Sequence, residues 1–112
     1  MNQIRKSEDT LIEIEFSKFE AATFIFLLQH SPSTGYKVAK GIGTSYSNAY
    51  KILKSLEKKG YVLAEKGDNN RYRAIPIDEV LNILEKKFNQ RKNNLADAIA
   101  DLPLIENDQR IY

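Results

Sequence analysis

Gly43-Thr44-Ser45-Tyr46-Ser47-Asn48-Ala49-Tyr50-Lys51-Ile52-Leu53-Lys54-Ser55-Leu56-Glu57-Lys58-Lys59-Gly60 decides the fold. It reads as one short helix. Thr44 or Ser45 is placed to cap its first amides, and Gly60 to end it in the left-handed conformation. Ala49, Ile52, Leu53 and Leu56 recur at helical spacing and mark the buried stripe. A rotation of about 100° per residue puts Ser47, Lys51, Lys54 and Lys58 on the opposite face. Asn48 and Ser55 flank that face on one side and Tyr50 on the other. Glu57 falls nearer the apolar edge, so the outer face carries hydroxyls and an amide first and ammonium groups behind. A helix that reads base edges and holds phosphates needs that order. An ordinary amphipathic helix with a lysine-rich surface shows the same stripe, so the neighbouring segments must discriminate.

Upstream, Ser33 or Thr34 caps a helix through about Lys40, with Tyr36, Val38 and Ala39 as its apolar residues. Gly41-Ile42-Gly43-Thr44 then makes a tight turn. Two short helices joined by a glycine turn form a helix-turn-helix. The pair of glycines is no dinucleotide loop, because a third glycine and a preceding strand are both missing. Further upstream, Ser17-Lys18-Phe19-Glu20 is a capping box with Phe16 as its hydrophobic staple. The helix it opens runs to about Gln29 and is apolar almost all round, which predicts a central place in the core. His30, the single histidine, sits at its C-terminus, where the helix dipole favours a surface role over catalysis. Residues 1–9 read as polar and frayed, and Thr10 to Phe16 as a short helix, although Ile12, Ile14 and Phe16 also alternate as in a strand.

Downstream, Tyr61 to Glu65 and Arg71 to Ile75 are strand-like around the turn Gly67-Asp68-Asn69-Asn70. Lys66 and Arg71 flank the hairpin tip, and Arg73 lies on the return strand. A helix-turn-helix followed at once by a basic hairpin is a winged helix. After Pro76, Asp78 is placed to cap a helix running to about Leu102, where Pro103 stops it. Leu81, Leu84, Phe88, Leu95, Ala98 and Leu102 follow heptad-like spacing, with Arg91 in one apolar slot. That stripe exceeds what one small domain covers, and a second copy of the chain is the expected partner, the alternative being that the helix folds back on its own domain against the segment Thr10 to Phe16. The polar tail after Pro103 carries no signal.

The totals agree. The 112 residues suffice for one domain, 1–76, with an appended helix and tail, 77–112. The net charge is only +2, but residues 36–75 hold nine basic against three acidic side chains, while the segments before and after are each net −2. One central segment therefore carries the positive field, which suits a polyanion. There is no cysteine, hence no disulfide framework and no thiolate zinc site. No signal peptide or membrane-length apolar run is visible, so a cytoplasmic protein is expected. No P-loop and no acid–base pair point to catalysis; catalytic residues, metal and cofactor are all expected to be absent.

Ser17 to Leu102 resembles the N-terminal DNA-binding domain of the TrmB-like transcriptional regulators. The likeness runs through Ser17-Lys18-Phe19-Glu20-Ala21, the stretch from Ser31 to Lys40, Ser47-Asn48-Ala49-Tyr50, Leu56 to Val62, and Arg71 to Pro76. The resemblance implies sequence-specific binding of double-stranded DNA by a homodimer. Family members often carry arginine where this chain has Tyr46, so base preference is not carried over. Longer members continue into a sugar-sensing domain, and this chain is expected to be either a short member or the DNA-binding part of a longer protein. No small-molecule effector is implied.

The expected fold is therefore mainly α with a small β-hairpin wing, a winged helix-turn-helix plus a long C-terminal dimerisation helix. The candidates for base contact are Tyr46, Ser47, Asn48, Tyr50 and Lys51. Asn48 suits adenine and Lys51 suits guanine. The candidates for phosphate contact are Lys37, Lys40, Lys54, Lys58, Lys66, Arg71 and Arg73. The main rival is a winged helix used as a protein–protein module, which would present an apolar or mixed surface where this chain presents lysines. An RNA role ranks lower, because a helix fits the DNA major groove and not the narrow RNA one.

Overall fold

The computed structural model describes residues 2–103, and these divide at Ile77 into two compact units. The first unit begins with α1 (Gln3–Ile14), α2 (Lys18–His30), the two-residue strand β1 (Ser33–Thr34) and α3 (Gly35–Ile42). It continues with α4 (Tyr46–Lys59) and the hairpin of β2 (Val62–Glu65) and β3 (Arg71–Ala74). The second unit carries α5 (Ile77–Ala100), whose first residue ends the first unit. The small sheet has the order β1-β3-β2 and is antiparallel throughout, with Ala64 and Ser33 both opposite Tyr72. Helix-turn-helix and hairpin together make a winged helix.

Local chemistry sets the helix ends. The Ser17 N–H donates to Glu20 Oε1 (2.9 Å) while the Glu20 N–H donates to Ser17 Oγ (3.1 Å), so the capping box opens α2 as the sequence predicts. Thr34 caps α3 and Ser45 caps α4 through their hydroxyls. Gly43 (φ 76°) and Gly60 (φ 92°) end these two helices in the left-handed region, which a side chain would strain.

Phe16, Phe24 and Tyr61 form the aromatic centre of the core, with Phe16 stacked on Tyr61 at 4.9 Å between centroids and Phe24 at 5.6 Å from Phe16. The Tyr61 hydroxyl donates to Glu15 Oε2, which satisfies its polar end. Leu27, Val38, Ala49, Leu53 and Leu56 fill the space between α2, α3 and α4 and are all fully buried.

Four expectations need correction. Residues 1–9 are not frayed: α1 starts at Gln3 because the Asn2 side chain accepts from the Arg5 N–H (2.8 Å), and the helix packs Leu11 inward. The turn between α3 and α4 is tighter than Gly41-Ile42-Gly43-Thr44, since α3 continues through Ile42. Gly41 is a glycine for another reason: a Cβ there would lie 2.2 Å from the Phe26 ring. Ser33-Thr34 pairs with β3 as a third strand, too short for any alternation to betray it. Asp78 is not the cap of α5; it lies with Glu79 in the first turn, where the helix dipole favours both. In addition, α2 is less buried than its composition suggests, because Phe19 and Leu28 remain exposed. Leu102 lies beyond the end of α5, and the polar tail lies outside the described residues apart from Pro103.

The contact that joins α2 to α4 is ionic. Glu20, only 5% exposed, receives the Lys59 ammonium on Oε1 (2.8 Å) and the Ser55 hydroxyl on Oε2 (2.5 Å). Burial pushes its carboxyl pKa up, but the hydrogen bonds from Lys59, Ser55 and the Ser17 amide outweigh burial and hold it below its ordinary 4.5. A carboxylate with a lowered folded pKa contributes stability above the ordinary range and loses it as pH falls through the folded value. Glu20→Gln should therefore cost about 2 kcal/mol at pH 7, and the gap to the unmodified chain should close as pH falls below the ordinary 4.5 and through the lowered folded value. Urea unfolding at several pH values measures this, and a gap that does not change with pH would contradict it.

Candidate nucleic-acid interface

Helix α4 buries Ala49, Ile52, Leu53 and Leu56 and turns Tyr46, Ser47, Tyr50, Lys51, Lys54 and Lys58 to solvent. The buried stripe and the outer face fall where helical spacing puts them. Ser55, Glu57 and Lys59 are half-buried, and Ser55 and Lys59 are held by Glu20. The exposed part of the outer face therefore carries cations and hydroxyls and no carboxylate.

Asn48 occupies a different setting from its neighbours. It is half-buried, and its side-chain amide donates to Thr44 Oγ1 (2.7 Å) while its backbone N–H donates to the capping Ser45 (3.1 Å). Its carbonyl oxygen and second amide hydrogen carry whatever outward bonds it makes. Sequence spacing alone gives no hint of the Thr44 bond.

Two lysines, one on α4 and one on α3, lean on aromatic rings. Lys54 Nζ lies 5.6 Å from the centre of the Tyr50 ring, and Lys40 Nζ lies 5.5 Å from that of Tyr36. Lys37, on α3, is exposed. In the hairpin, Lys66 and Arg71 are exposed beside the tip. Arg73 donates through Nε to Glu65 across the strands (3.1 Å), and both partners are about half-exposed. Such a pair contributes little to stability, so Glu65 holds the guanidinium only weakly.

Between α4 and the hairpin tip lies a cleft of about 500 Å³. Tyr36, Tyr46, Tyr50 and Tyr72 line it, together with Asp68, Asn69 and Asn70 of the tip. No lysine or arginine does. Gly35 lets the Tyr46 ring lie against the start of α3, since a Cβ there would meet that ring at 3.2 Å. Burial pushes the Tyr72 phenol above its ordinary 10.0, against a lowering hydrogen bond with Asn70, so it stays a neutral hydroxyl across the neutral range. Tyr36 and Asp68 to Asn70 escaped the list of candidates because they come from separate segments and share no spacing with α4.

On α5, Leu81, Phe88, Leu95 and Ala98 are exposed, Leu84 is half-buried, and Leu102 is exposed just past the helix. Among the described residues, no group of three or more histidine or acidic side chains is arranged to hold a metal ion, and no helix is long and apolar enough to cross a membrane.

Known proteins share this arrangement. The YrhO protein of Bacillus subtilis is 37% identical over 73 residues, covering 65% of this chain and 26% of that protein. The HTH-type transcriptional regulator TrmBL2 of Pyrococcus furiosus is 29% identical over 120 residues, covering 95% of this chain and 46% of the regulator. The chain thus spans less than half the length of these relatives. The solved structure of the archaeal chromatin protein TrmBL2, described as showing a novel mode of DNA binding, superposes with a TM-score of 0.81 at 24% identity. That superposition covers 88% of this chain and 38% of the other. Residues 11–78 match the family of the sugar-specific transcriptional regulator TrmB, and the match takes in α2 to β3, from the capping box to the wing. That match spans more than half of the sequence, and the chain belongs to the TrmB family of transcriptional regulators.

Proposed function

We propose that this chain binds double-stranded DNA sequence-specifically, as a homodimer, in the cytoplasm. The observation that carries the reading is the exposed face of α4, which displays Tyr46, Ser47, Tyr50, Lys51, Lys54 and Lys58 with no carboxylate among them. A helix enters the major groove with its N-terminal residues deepest. Ser47, Asn48 and Lys51 then face base edges with Tyr46 and Tyr50 beside them, and Lys54 and Lys58 meet the backbone. Lys37, Lys40, Lys66, Arg71 and Arg73 hold phosphates on either side. The exposed apolar residues of α5 (Leu81, Phe88, Leu95 and Ala98) pair with the same stripe in a second copy, joined by Leu84 and Leu102.

Binding of this kind releases counterions. If about six phosphates are neutralised, log affinity falls against log salt with a slope near −5. Lys66→Ala and Arg71→Ala should each weaken every duplex alike and flatten that slope by about one unit. Affinity that ignores salt, measured by fluorescence anisotropy, would take the cationic face out of the interface.

The dimer makes its own demand. Phe88 is 61% exposed on the single chain, and Phe88→Asp would place a charge in the apolar seam. The dissociation constant of the dimer should rise about 100-fold, close to 3 kcal/mol. Light scattering tests this, and an unmodified chain that is monomeric at micromolar concentration would remove the dimer from the account.

A further inference from the structure

The cleft between α4 and the hairpin tip has a lining that the duplex reading uses only in part: Tyr46 and Tyr50 stand beside the base edges there, while Tyr36, Tyr72 and Asp68 to Asn70 have no role in it. Four tyrosines line it from three elements: Tyr36 from α3, Tyr46 and Tyr50 from α4, and the buried Tyr72 from β3. Tyr36 and Tyr46 are 62% and 57% exposed, so two of these rings are held at the surface with much of their area in water. A phosphate is a poor occupant, because no cation lines the cleft and Asp68 does. The cations stand outside it, with Lys40 beside the Tyr36 ring and Lys54 beside the Tyr50 ring.

That pattern, tyrosines within and ammonium groups at the margins, matches a strand of nucleic acid with one base inside and its flanking phosphates outside. In an intact duplex the faces of the bases are covered by their neighbours and only edges and sugars are offered. An aromatic concavity gains most from a base that has left the stack. Asp68 adds an acceptor for an exocyclic amine, and Asn69 and Asn70 add amides that read either donors or acceptors.

Resting on the DNA reading above, we propose that the tyrosine cleft is a stacking subsite for one unpaired base of a bound DNA, with Lys40 and Lys54 on the phosphates beside it. The chain then prefers DNA that offers such a base, at a bulge, a junction or an opened step, over uninterrupted duplex. An organic cation would also suit rings and a carboxylate, but Lys40 and Lys54 repel it.

The test compares the full chain on two duplexes of about 20 base pairs, identical except that one carries a single unpaired 2-aminopurine nucleotide. Anisotropy gives the affinities, and 2-aminopurine fluorescence reports its surroundings. The bulged duplex should bind about tenfold tighter, within the range that stacking on an aromatic side chain supplies. Its fluorescence should change on binding. Tyr36→Leu should abolish the preference while the intact duplex loses little affinity, because the Lys40 contact on that ring is weak, and Tyr36→Phe should keep it, since stacking needs the ring and not the hydroxyl. Circular dichroism checks that each variant is folded. Equal affinity for the two duplexes, or a preference that survives Tyr36→Leu, would overturn the subsite and leave the duplex reading standing. Failure to bind either duplex would overturn both. Heat released on titrating choline into DNA-free protein, and lost in Asp68→Asn, would assign the cleft to an organic cation and overturn the proposal.

Discussion

The buried carboxylate of Glu20 holds the two central helices in one relation. It closes the capping box at the start of α2 and, from the same side chain, receives Ser55 and Lys59 of α4. Four hydrogen bonds thus meet at the first turn of α2 and the C-terminal half of α4. A carboxylate so placed is costly unless every oxygen is satisfied, and here both are. Apolar packing of Ala49, Leu53 and Leu56 supplies adhesion but tolerates sliding and rotation. The directed bonds to Glu20 specify which face of α4 remains outside. They also withdraw Ser55 and Lys59 from that face, leaving Ser47, Lys51, Lys54 and Lys58 as its exposed row.

Charge follows the same logic. The central segment has nine basic side chains, yet they are not equivalent. Lys59 is bound to Glu20, Arg73 shares its charge with Glu65, and Lys40 and Lys54 rest on tyrosine rings. An exposed ion pair or cation–π contact contributes on the order of 1 kcal/mol or less, so Lys40, Lys54 and Arg73 are positioned without being sequestered. Pre-positioning reduces the side-chain entropy lost when a long cation meets a phosphate. The field of the segment is thus delivered by a few oriented groups, and Asp68 opposes it locally at the tyrosine cleft.

Much of this was legible before any coordinates. Helix α4 was readable because its signals agree: a capping hydroxyl, a stripe at helical spacing and a terminal glycine. The capping box announced α2, and the hairpin was readable from its turn residues. What stayed hidden depended on contacts between distant segments. Glu20 looked like a cap and nothing more, because the bonds from Ser55 and Lys59 span 35 and 39 residues. Ser33-Thr34 is too short for a strand pattern, and Gly41 looked like a turn residue although Phe26 is what excludes a side chain there. In α1 the polar composition masked a helix that is secured by Asn2 and by one buried leucine. The candidate site divides in the same way. The face of α4 follows from periodicity, whereas the tyrosine cleft exists only once α3, α4 and the hairpin are assembled.

The central claim is that the outer face of α4 reads DNA in a symmetric pair. Selecting bound duplexes from a random pool with the purified chain tests it most directly, because the selected sequences report both contact and symmetry. The account predicts an enriched inverted repeat whose half-sites lie about one helical turn apart, roughly 10 base pairs, or a multiple of that. The same selection with Lys51→Ala should lose preference at one symmetric pair of positions. A pool that enriches no dyad, or a full consensus retained by Lys51→Ala, would contradict it and place the reading surface elsewhere on the molecule.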